Sequence, residues 1–243
     1  MPRFFCLSCN ISQERIILDD KEQIHHLRNV LRLRLNDKVS VFDEKGNEYD
    51  CLIDKLADKV TLIIKDRRLY SQKEKISITV ACAIPKKAKF DDIVDKLTKL
   101  GVDRIIPLET ERVVVRWDKQ KKALQRKRWE KIALSACRQS QRSTLPTIEP
   151  IKGIKEALAK TKDYGLRLIP TLSGERRALK EILAKSKADR IIIFIGPEGD
   201  FTTEEVDLAV KEGSIPVTLG DFVLRVDTAA VAAVSFIRLH ENH

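Results

Sequence analysis

The chain has 243 residues, of which 46 are lysine or arginine and 36 are aspartate or glutamate, so its formal net charge is +10 and its sequence pI is about 9.4. A hydrophobic fraction of 43% argues against intrinsic disorder, and no apolar run approaches the roughly 20 residues of a membrane span. Five cysteines, an odd number, and an N-terminus without a hydrophobic leader predict a protein of the reducing cytoplasm.

The first 70 residues predict a small β-rich domain with one helix. The helix is expected to begin after Asp20, which suits the N-cap position, and apolar residues at helical spacing extend it to Leu31. Three runs rich in β-branched and aromatic residues predict strands, the first two joined in a hairpin, at 39–42, 49–53 and 60–64. The polar stretch 71–75 predicts a linker, so we place the domains at 1–70 and 76–243.

From residue 76 onwards, predicted strands and helices alternate. Strands are expected at 76–81, 105–106, 166–169, 190–195 and in a run that ends at Gly220. Helices are expected at 90–100, at about 125–139, after the strand at 166–169, after the capping residue Thr202 and from Ala229 onwards. This alternation predicts an α/β fold with a parallel sheet that helices cover on both faces.

Two junctions between a predicted strand and the following helix could hold a ligand. The first strand ends at Gly196, and the sequence Pro-Glu-Gly-Asp follows it. The second ends at Gly220, and Arg225 follows in the next loop. Ligands of open α/β sheets bind at such carboxyl ends of strands. An ordinary tight turn would also explain the first junction. A salt bridge from Arg225 to Asp221 or Asp227 would also explain the second.

Several motifs, in order along the chain, resemble those of one family. They are K-L-T-K-L-G-V at 96–102, I-P-L-E-T-E-R at 106–112, Q-S-Q-R at 139–142, I-G-P-E-G at 195–199 and L-G-x-x-x-L-R-x-D-T-A at 219–229. The stretches 25–32 and 36–39 are similar to the PUA-like RNA-binding domain of the same family. Over essentially its whole length, the chain resembles the RsmE family of ribosomal RNA small-subunit methyltransferases, within the SPOUT superfamily.

The resemblance implies a fold, a cofactor and a reaction. The implied fold is a SPOUT parallel-sheet domain with a deep C-terminal trefoil knot, preceded by a small PUA-like barrel, although nothing in the periodicity predicts a knot. The implied enzyme uses S-adenosylmethionine to methylate N3 of one uridine of 16S rRNA in the assembled small ribosomal subunit. It acts as a homodimer and needs no metal.

In similar proteins three loops hold the cofactor. The corresponding residues here are Thr171 and Leu172, then Ile195, Gly196, Pro197 and Gly199, then Leu219, Gly220, Leu224 and Thr228. The chain departs from the family pattern at two positions. Asp200 stands where a second glycine is usual, and Asp227 stands where glutamate is usual.

The reaction that the resemblance implies sets requirements for the catalytic residues. Uracil N3 carries a proton that must leave, and the resulting negative charge spreads onto the ring oxygens, so a base and a cation near the ring would both help. We predict that Arg225 stabilises this charge or the phosphate of the nucleotide. Glu198 or Asp227 is the candidate proton acceptor, although either could instead orient the loops, and solvent could take the proton.

The distribution of charge predicts a polyanionic partner. Residues 71–150 hold 19 basic and 10 acidic residues, whereas the segments on either side are nearly neutral. Clustered lysine and arginine suit the phosphates of RNA, although each lysine taken alone fits a solvated surface equally well. The predicted RNA contacts are Arg28, Arg32, Arg112, Lys121, Lys122, Lys127, Arg138, Gln139 and Arg142.

Other functions stay open at this stage. A SPOUT enzyme that methylates the ribose 2′-OH or another base would carry the same motifs, and a non-catalytic rRNA-binding assembly factor would carry the same basic segment. Cys6 and Cys9 form half of a zinc-site pattern, but no second Cys-x-x-Cys follows, so we predict no metal.

Overall fold

The computed structural model describes residues 1–69, 76–85, 90–113, 117–172 and 174–241. Within them the chain forms two compact units. Unit 1 comprises the described residues of Met1–Gln72 together with Cys137–Leu145, and unit 2 those of Lys73–Ala136 and Pro146–His243. The predicted linker at 71–75 lies outside the described residues, and the domain boundaries stay a prediction.

The segment Cys137–Leu145 groups with unit 1, and its side chains make polar contacts there. The Arg3 guanidinium donates to Ser143 Oγ at 2.9 Å and forms an ion pair with Glu48 at 2.5 Å. The boundary that we drew from the sequence did not include this grouping, since the partners are more than 90 positions apart.

Unit 1 contains a five-stranded sheet. Its strands are β1 (Arg3–Phe5), β2 (Arg15–Leu18), β3 (Lys38–Phe42), β4 (Glu48–Leu56) and β5 (Val60–Arg68). They are ordered β1-β3-β4-β5-β2, with β1 parallel to β3 and the other pairs antiparallel. The predicted hairpin is confirmed as β3–β4, closed by a hydrogen bond from the Asp43 N–H to Asn47 O at 3.1 Å.

Helix α1 (Lys21–His25) begins where the sequence predicts. The Asp20 side chain caps it by accepting a backbone N–H of the first turn at 2.7 Å. A π-helical turn then continues the chain over His26–Val30. Leu27 is buried but Leu31 is 38% exposed, because the wider turn rotates the later residues away from the predicted apolar stripe.

Unit 2 is built on a parallel sheet. Its strands are β6 (Ser77–Ala83), β7 (Arg104–Glu109), β8 (Thr147–Ile148), β9 (Lys152–Gly153), β10 (Leu166–Pro170), β11 (Arg177–Ala178), β12 (Arg190–Ile195) and β13 (Ile215–Thr218). They follow the order β11-β13-β10-β12-β6-β7-β8, with β9 also beside β7. Every pair is parallel, as predicted.

Helices cover both faces of this sheet, which confirms the predicted α/β architecture. They are α2 (Phe90–Lys99), α3 (Lys119–Gln139), α4 (Ile154–Leu158), α5 (Leu179–Lys185), α6 (Thr203–Lys211) and α7 (Val226–Glu241). Alternate residues of β12 enter two different cores: Ile193 belongs to the core that contains side chains of α2, α3, α5 and α7, and Phe194 to the core that contains side chains of α4 and α6. The knot that the resemblance implies stays a prediction.

The boundaries of two helices depend on side-chain caps. Helix α3 begins about six residues before its predicted start, because Asp118 accepts the Lys121 N–H at 2.7 Å and so extends the helix into a polar stretch. The predicted capping box of α6 is confirmed, with Thr202 and Glu205 each accepting the other's backbone N–H. In the part of the chain that the structure describes, no helix is long and apolar enough to cross a membrane.

Candidate active site

A pocket lies at the carboxyl ends of three neighbouring strands, β13, β10 and β12. We call the segments that follow these strands loop 1 (171–172 and 174–176, after β10), loop 2 (196–202, after β12) and loop 3 (219–225, after β13). The pocket contains about 580 Å³ of empty space, part of it open to solvent. Its lining residues are Pro170, Thr171, Leu172, Arg176, Ile195, Gly196, Pro197, Glu198, Asp200, Thr218, Leu219, Gly220, Phe222, Val223, Leu224, Val226 and Ala229.

Most of the predicted cofactor residues meet in this pocket. Those that line it are Thr171, Leu172, Ile195, Gly196, Pro197, Leu219, Gly220 and Leu224. Gly199 and Thr228 lie on the same segments but outside the lining. Parallel strands carry all their carboxyl ends to one edge of the sheet, which is why residues from three distant stretches of sequence come together here.

Loop 2 makes a tight turn, in which the backbone of Gly196 lies close to the ring of Phe201. A Cβ atom on Gly196 would lie 3.1 Å from the ring of Phe201, so only glycine fits there without a shift of the ring. The Asp200 N–H donates to Pro197 O at 3.0 Å and closes the turn. The capped start of α6 then holds the far end of the loop.

Asp200 connects loop 2 to loop 1. Its backbone is left-handed, with a φ of 61°. Its Oδ2 accepts the Thr171 hydroxyl at 3.0 Å and the Leu172 N–H at 2.8 Å, and its Oδ1 accepts the Phe201 N–H at 2.8 Å. Glycine adopts this backbone conformation freely and aspartate is among the few other residues that tolerate it.

The segment after β7 holds loop 2 from another side. The Arg112 guanidinium donates to Gly199 O and, at 3.4 Å, to Phe201 O. The neighbouring Glu111 N–H donates to Glu205 Oε1 at 2.9 Å. Arg112, which we predicted as an RNA contact, is therefore bound to the candidate cofactor loop in this structure.

The predicted catalytic residues differ in their surroundings. Glu198 is exposed and lines the pocket. Arg225 lies between two lining residues, with its side chain 62% exposed and its Nε 3.8 Å from Asp227 Oδ1. The salt bridge that the sequence left open is thus formed with Asp227, and at this exposure it is a weak interaction.

Cys82 lies near the same carboxylates but is not a nucleophile. Burial raises the pKa of its thiol, and the negative charges of Glu198 and Asp227 raise it further. The thiol therefore stays protonated and inert at neutral pH. Among the described residues, no group of three or more histidine, cysteine, aspartate or glutamate side chains could hold a metal ion.

The pocket lining combines apolar and charged side chains. Leu172, Ile195, Leu219 and Leu224 offer apolar contacts. The Glu198 carboxylate suits positive charge, whereas Arg176 suits a carboxylate. S-adenosylmethionine, which combines adenine, a sulfonium, an ammonium and a carboxylate, matches this set of donors.

Three lining residues were missed by sequence reasoning. They are Pro170, Arg176 and Thr218, whose only sequence signal is their position near the carboxyl ends of predicted strands. Phe222, Val223, Val226 and Ala229 lie within the motif at 219–229, but only Ala229 is one of its specified residues. Phe222 and Val223 are 85% and 72% exposed, unusually high for such apolar side chains.

The first half of α3 carries the predicted basic cluster. Lys122 Nζ lies 2.6 Å from Glu109 Oε2 and is therefore already paired. Lys121 and Lys127 are exposed, and across the described ranges no carboxylate lies within ion-pair distance of either. A groove runs along this helix and is lined by Lys119, Lys122, Ala123, Arg126, Lys127, Glu130, Pro150 and Ile151.

The predicted RNA contacts of unit 1 are unequal in exposure. Arg32 and Gln139 are exposed, whereas Arg28 donates to Ala57 O. Arg142 donates to Thr144 Oγ1 at 3.1 Å. Arg138 is half-buried, and burial lowers the pKa of its guanidinium against the opposing effect of Asp20 and Glu22.

Fold, pocket and sequence together define the class of protein. Residues 72–238 match the RNA methyltransferase domain family, and residues 18–65 match the RNA methyltransferase PUA domain family. The chain is thus an RNA methyltransferase by its domains, with the PUA domain that we predicted ahead of the catalytic one.

Individual relatives narrow this class. Proteins named ribosomal RNA small subunit methyltransferase E are similar to the chain. The Rickettsia conorii protein is 30% identical over 242 residues, which cover 99% of this chain and 96% of the relative. The Bacillus subtilis protein is 29% identical over 222 residues, which cover 89% of this chain and 87% of the relative. The crystal structure of the Neisseria gonorrhoeae protein of that name, bound to S-adenosyl methionine, is 33% identical with a TM-score of 0.86 (98% and 97%). The chain belongs to the ribosomal RNA small subunit methyltransferase E family.

Proposed function

We propose that the protein transfers the methyl group of S-adenosylmethionine to N3 of a uridine in the RNA of the small ribosomal subunit. The observation that carries this proposal is the pocket, where three loops bearing the family's motifs converge at the carboxyl ends of adjacent parallel strands. The Neisseria relative that binds S-adenosyl methionine shares this fold over almost its whole length.

The pocket residues hold the cofactor by complementary chemistry. Leu172, Leu219 and Leu224 would contact its apolar part, and the Glu198 carboxylate would attract its positively charged part. Bound there, the cofactor supplies an electrophilic methyl group on a sulfonium. The protein's contribution is to hold the target nitrogen in line with that methyl group, which by itself lowers the barrier strongly.

Of the two candidates, Glu198 is the proton acceptor that we propose. It is exposed within the pocket, and in the part of the chain that is described it has no cationic partner. Asp227, the other candidate, is paired with Arg225. Arg225 keeps most of its guanidinium exposed, so it remains able to stabilise the negative charge that develops on the uracil oxygens.

The RNA is held by phosphate contacts along α3. The unpaired lysines Lys121 and Lys127 provide such contacts, which position RNA without reading its sequence. Further contacts come from the exposed residues Arg32 and Gln139 of unit 1. The substrate is 16S rRNA in the assembled small subunit, and the enzyme works in the cytoplasm as a homodimer.

Mass spectrometry of nucleosides tests the reaction. Small ribosomal subunits from a strain that lacks the protein are incubated with the purified protein and S-adenosylmethionine, and their 16S rRNA is digested. We expect 3-methyluridine. A 2′-O-methylated nucleoside or another methylated base would replace the proposal by one of its alternatives, and no transfer by a protein that binds the cofactor would indicate an assembly factor. Gly196→Val, whose side chain would collide with Phe201, is the cofactor-deficient control.

A further inference from the structure

We propose that Asp200 is a positioning residue that holds loop 1 in the conformation that binds the cofactor. This inference rests on the proposed function, since it concerns the same pocket. It assigns a role to the position at which the chain departs from the glycine that is usual in its family. The Asp200 carboxylate makes contacts that a glycine, which has no side chain, could not make.

Two donors of loop 1 bond to Asp200, while the backbone of Thr171 is also held by its N–H bond to Val217 O at 3.3 Å and by the Arg176 guanidinium, which donates to its carbonyl at 3.1 Å. The Leu172 N–H donates to Asp200 Oδ2 at 2.8 Å and, among the described residues, to no other acceptor. The Thr171 hydroxyl donates to the same oxygen at 3.0 Å. Thr171 is buried and Leu172 is 49% exposed, and both line the pocket. Without the carboxylate, the first two residues of loop 1 lose these bonds together.

Loop 2 is anchored independently of loop 1, so Asp200 has a fixed base from which to act. The capping box of α6 and the bonds from Arg112 to Gly199 O and Phe201 O hold the segment on either side of Asp200. The Asp200 Oδ1 also accepts the Phe201 N–H at 2.8 Å, which fixes the orientation of the carboxylate. Hydrogen bonds to a charged acceptor are stronger than neutral ones.

The backbone conformation of Asp200 allows the effect of its side chain to be tested separately from backbone strain. With a φ of 61°, the residue occupies a conformation that glycine adopts at lower cost. Asp200→Gly therefore removes the carboxylate while relieving the backbone. A loss of cofactor affinity in a variant whose stability is unchanged or increased would assign the effect to the bonds with loop 1.

Binding of S-adenosylhomocysteine, measured by isothermal titration calorimetry, tests the proposal on the full-length protein. We expect Asp200→Gly to raise the Kd about tenfold, roughly the effect of removing one charge-assisted hydrogen bond. The KM for S-adenosylmethionine should rise equally, while kcat at saturating cofactor stays within about twofold, because Asp200 acts on binding rather than on the proton transfer. The melting temperature of the free protein, measured in parallel, shows whether the variant is folded at the temperature of the titration.

Two further variants make the outcome decisive. Asn36→Gly relieves a left-handed residue of unit 1, with a φ of 69°, and should leave the Kd unchanged. Asp200→Asn loses at least one of the bonds from backbone N–H groups, because the amide nitrogen of asparagine cannot accept a hydrogen bond. It should raise the Kd by less than Asp200→Gly does. If the glycine variant fails to fold, the asparagine variant decides the question. Wild-type affinity in both Asp200 variants overturns this inference, whereas absence of binding by the wild type overturns the proposed function itself.

Discussion

Arg225 and Asp227 stand at the start of α7, on either side of the pocket-lining residue Val226. Their side chains are 3.8 Å apart, and the arginine is 62% exposed. An exposed ion pair of this kind contributes little to stability. Its effect is to restrict where the guanidinium can lie, next to the pocket but outside its lining. Arg225 is therefore available to a substrate that enters from solvent.

Replacing Arg225 tests its catalytic role. Arg225→Ala should lower kcat by about 100-fold or more, the usual effect of losing one group that stabilises a developing oxyanion. The Kd for S-adenosylhomocysteine should stay unchanged, because Arg225 does not line the pocket. Arg225→Lys keeps the charge and should recover part of the rate. Near-normal turnover by Arg225→Ala would contradict the assignment.

At the scale of elements, ion pairs distinguish the lysine and arginine side chains of α3 from one another. Its first half is rich in lysine and arginine, but Lys122, Arg126 and Arg128 lie in ion pairs with Glu109, Glu130 and Asp91. These pairs neutralise part of the cluster within unit 2. The remaining exposed lysines are the ones that can release counterions when RNA binds.

A double charge reversal on α3 tests this selection. Lys121→Glu with Lys127→Glu should weaken binding to small ribosomal subunits and make the logarithmic salt dependence shallower by about two, because each of the two lysines then no longer binds a phosphate. The matched control reverses Lys185 and Lys211, exposed lysines on α5 and α6, and changes the net charge equally. Equal weakening by both pairs would show that total charge, and not the position on α3, governs binding.

At the scale of the whole molecule, one face of α7 lacks a partner within the described chain. Residues such as Ala230, Ala233 and Ile237 are buried in the core of unit 2. Phe236 and Leu239 are 39% and 64% exposed on the same helix. A second copy of the chain, as in the proposed homodimer, would cover them.

Light scattering after size exclusion tests the dimer. The wild type should elute as a dimer, and Leu239→Glu should shift it to the monomer, because a buried charge without a partner is costly at an interface. Leu124→Glu, at a residue that is 60% exposed on α3, should leave the dimer intact. A wild type that is monomeric at all concentrations would refute the homodimer, and a dimeric Leu239→Glu would refute the interface.

The sequence by itself determined the main strands and helices, the parallel α/β architecture and the motifs of the three loops, but not the short strands β1, β2, β8, β9 and β11 or the short helix α4. Each of these depends on residues that are close together in the chain: apolar spacing, caps such as Thr202, and glycine at strand ends. The family resemblance then indicated the cofactor and the reaction, because its motifs occur in order along the whole chain.

Only the tertiary structure decided which side chains act on which loop. Arg112 is 87 positions from Gly199 and Asp200 is 28 positions from Leu172, so no local pattern could show that they bond. Lys122 looks the same in the sequence as Lys121, but folding places only Lys122 beside Glu109. The spacing of apolar residues indicates which face of a helix or strand is buried. A hydrogen bond between distant segments, in contrast, forms only after the sheet has brought those segments together.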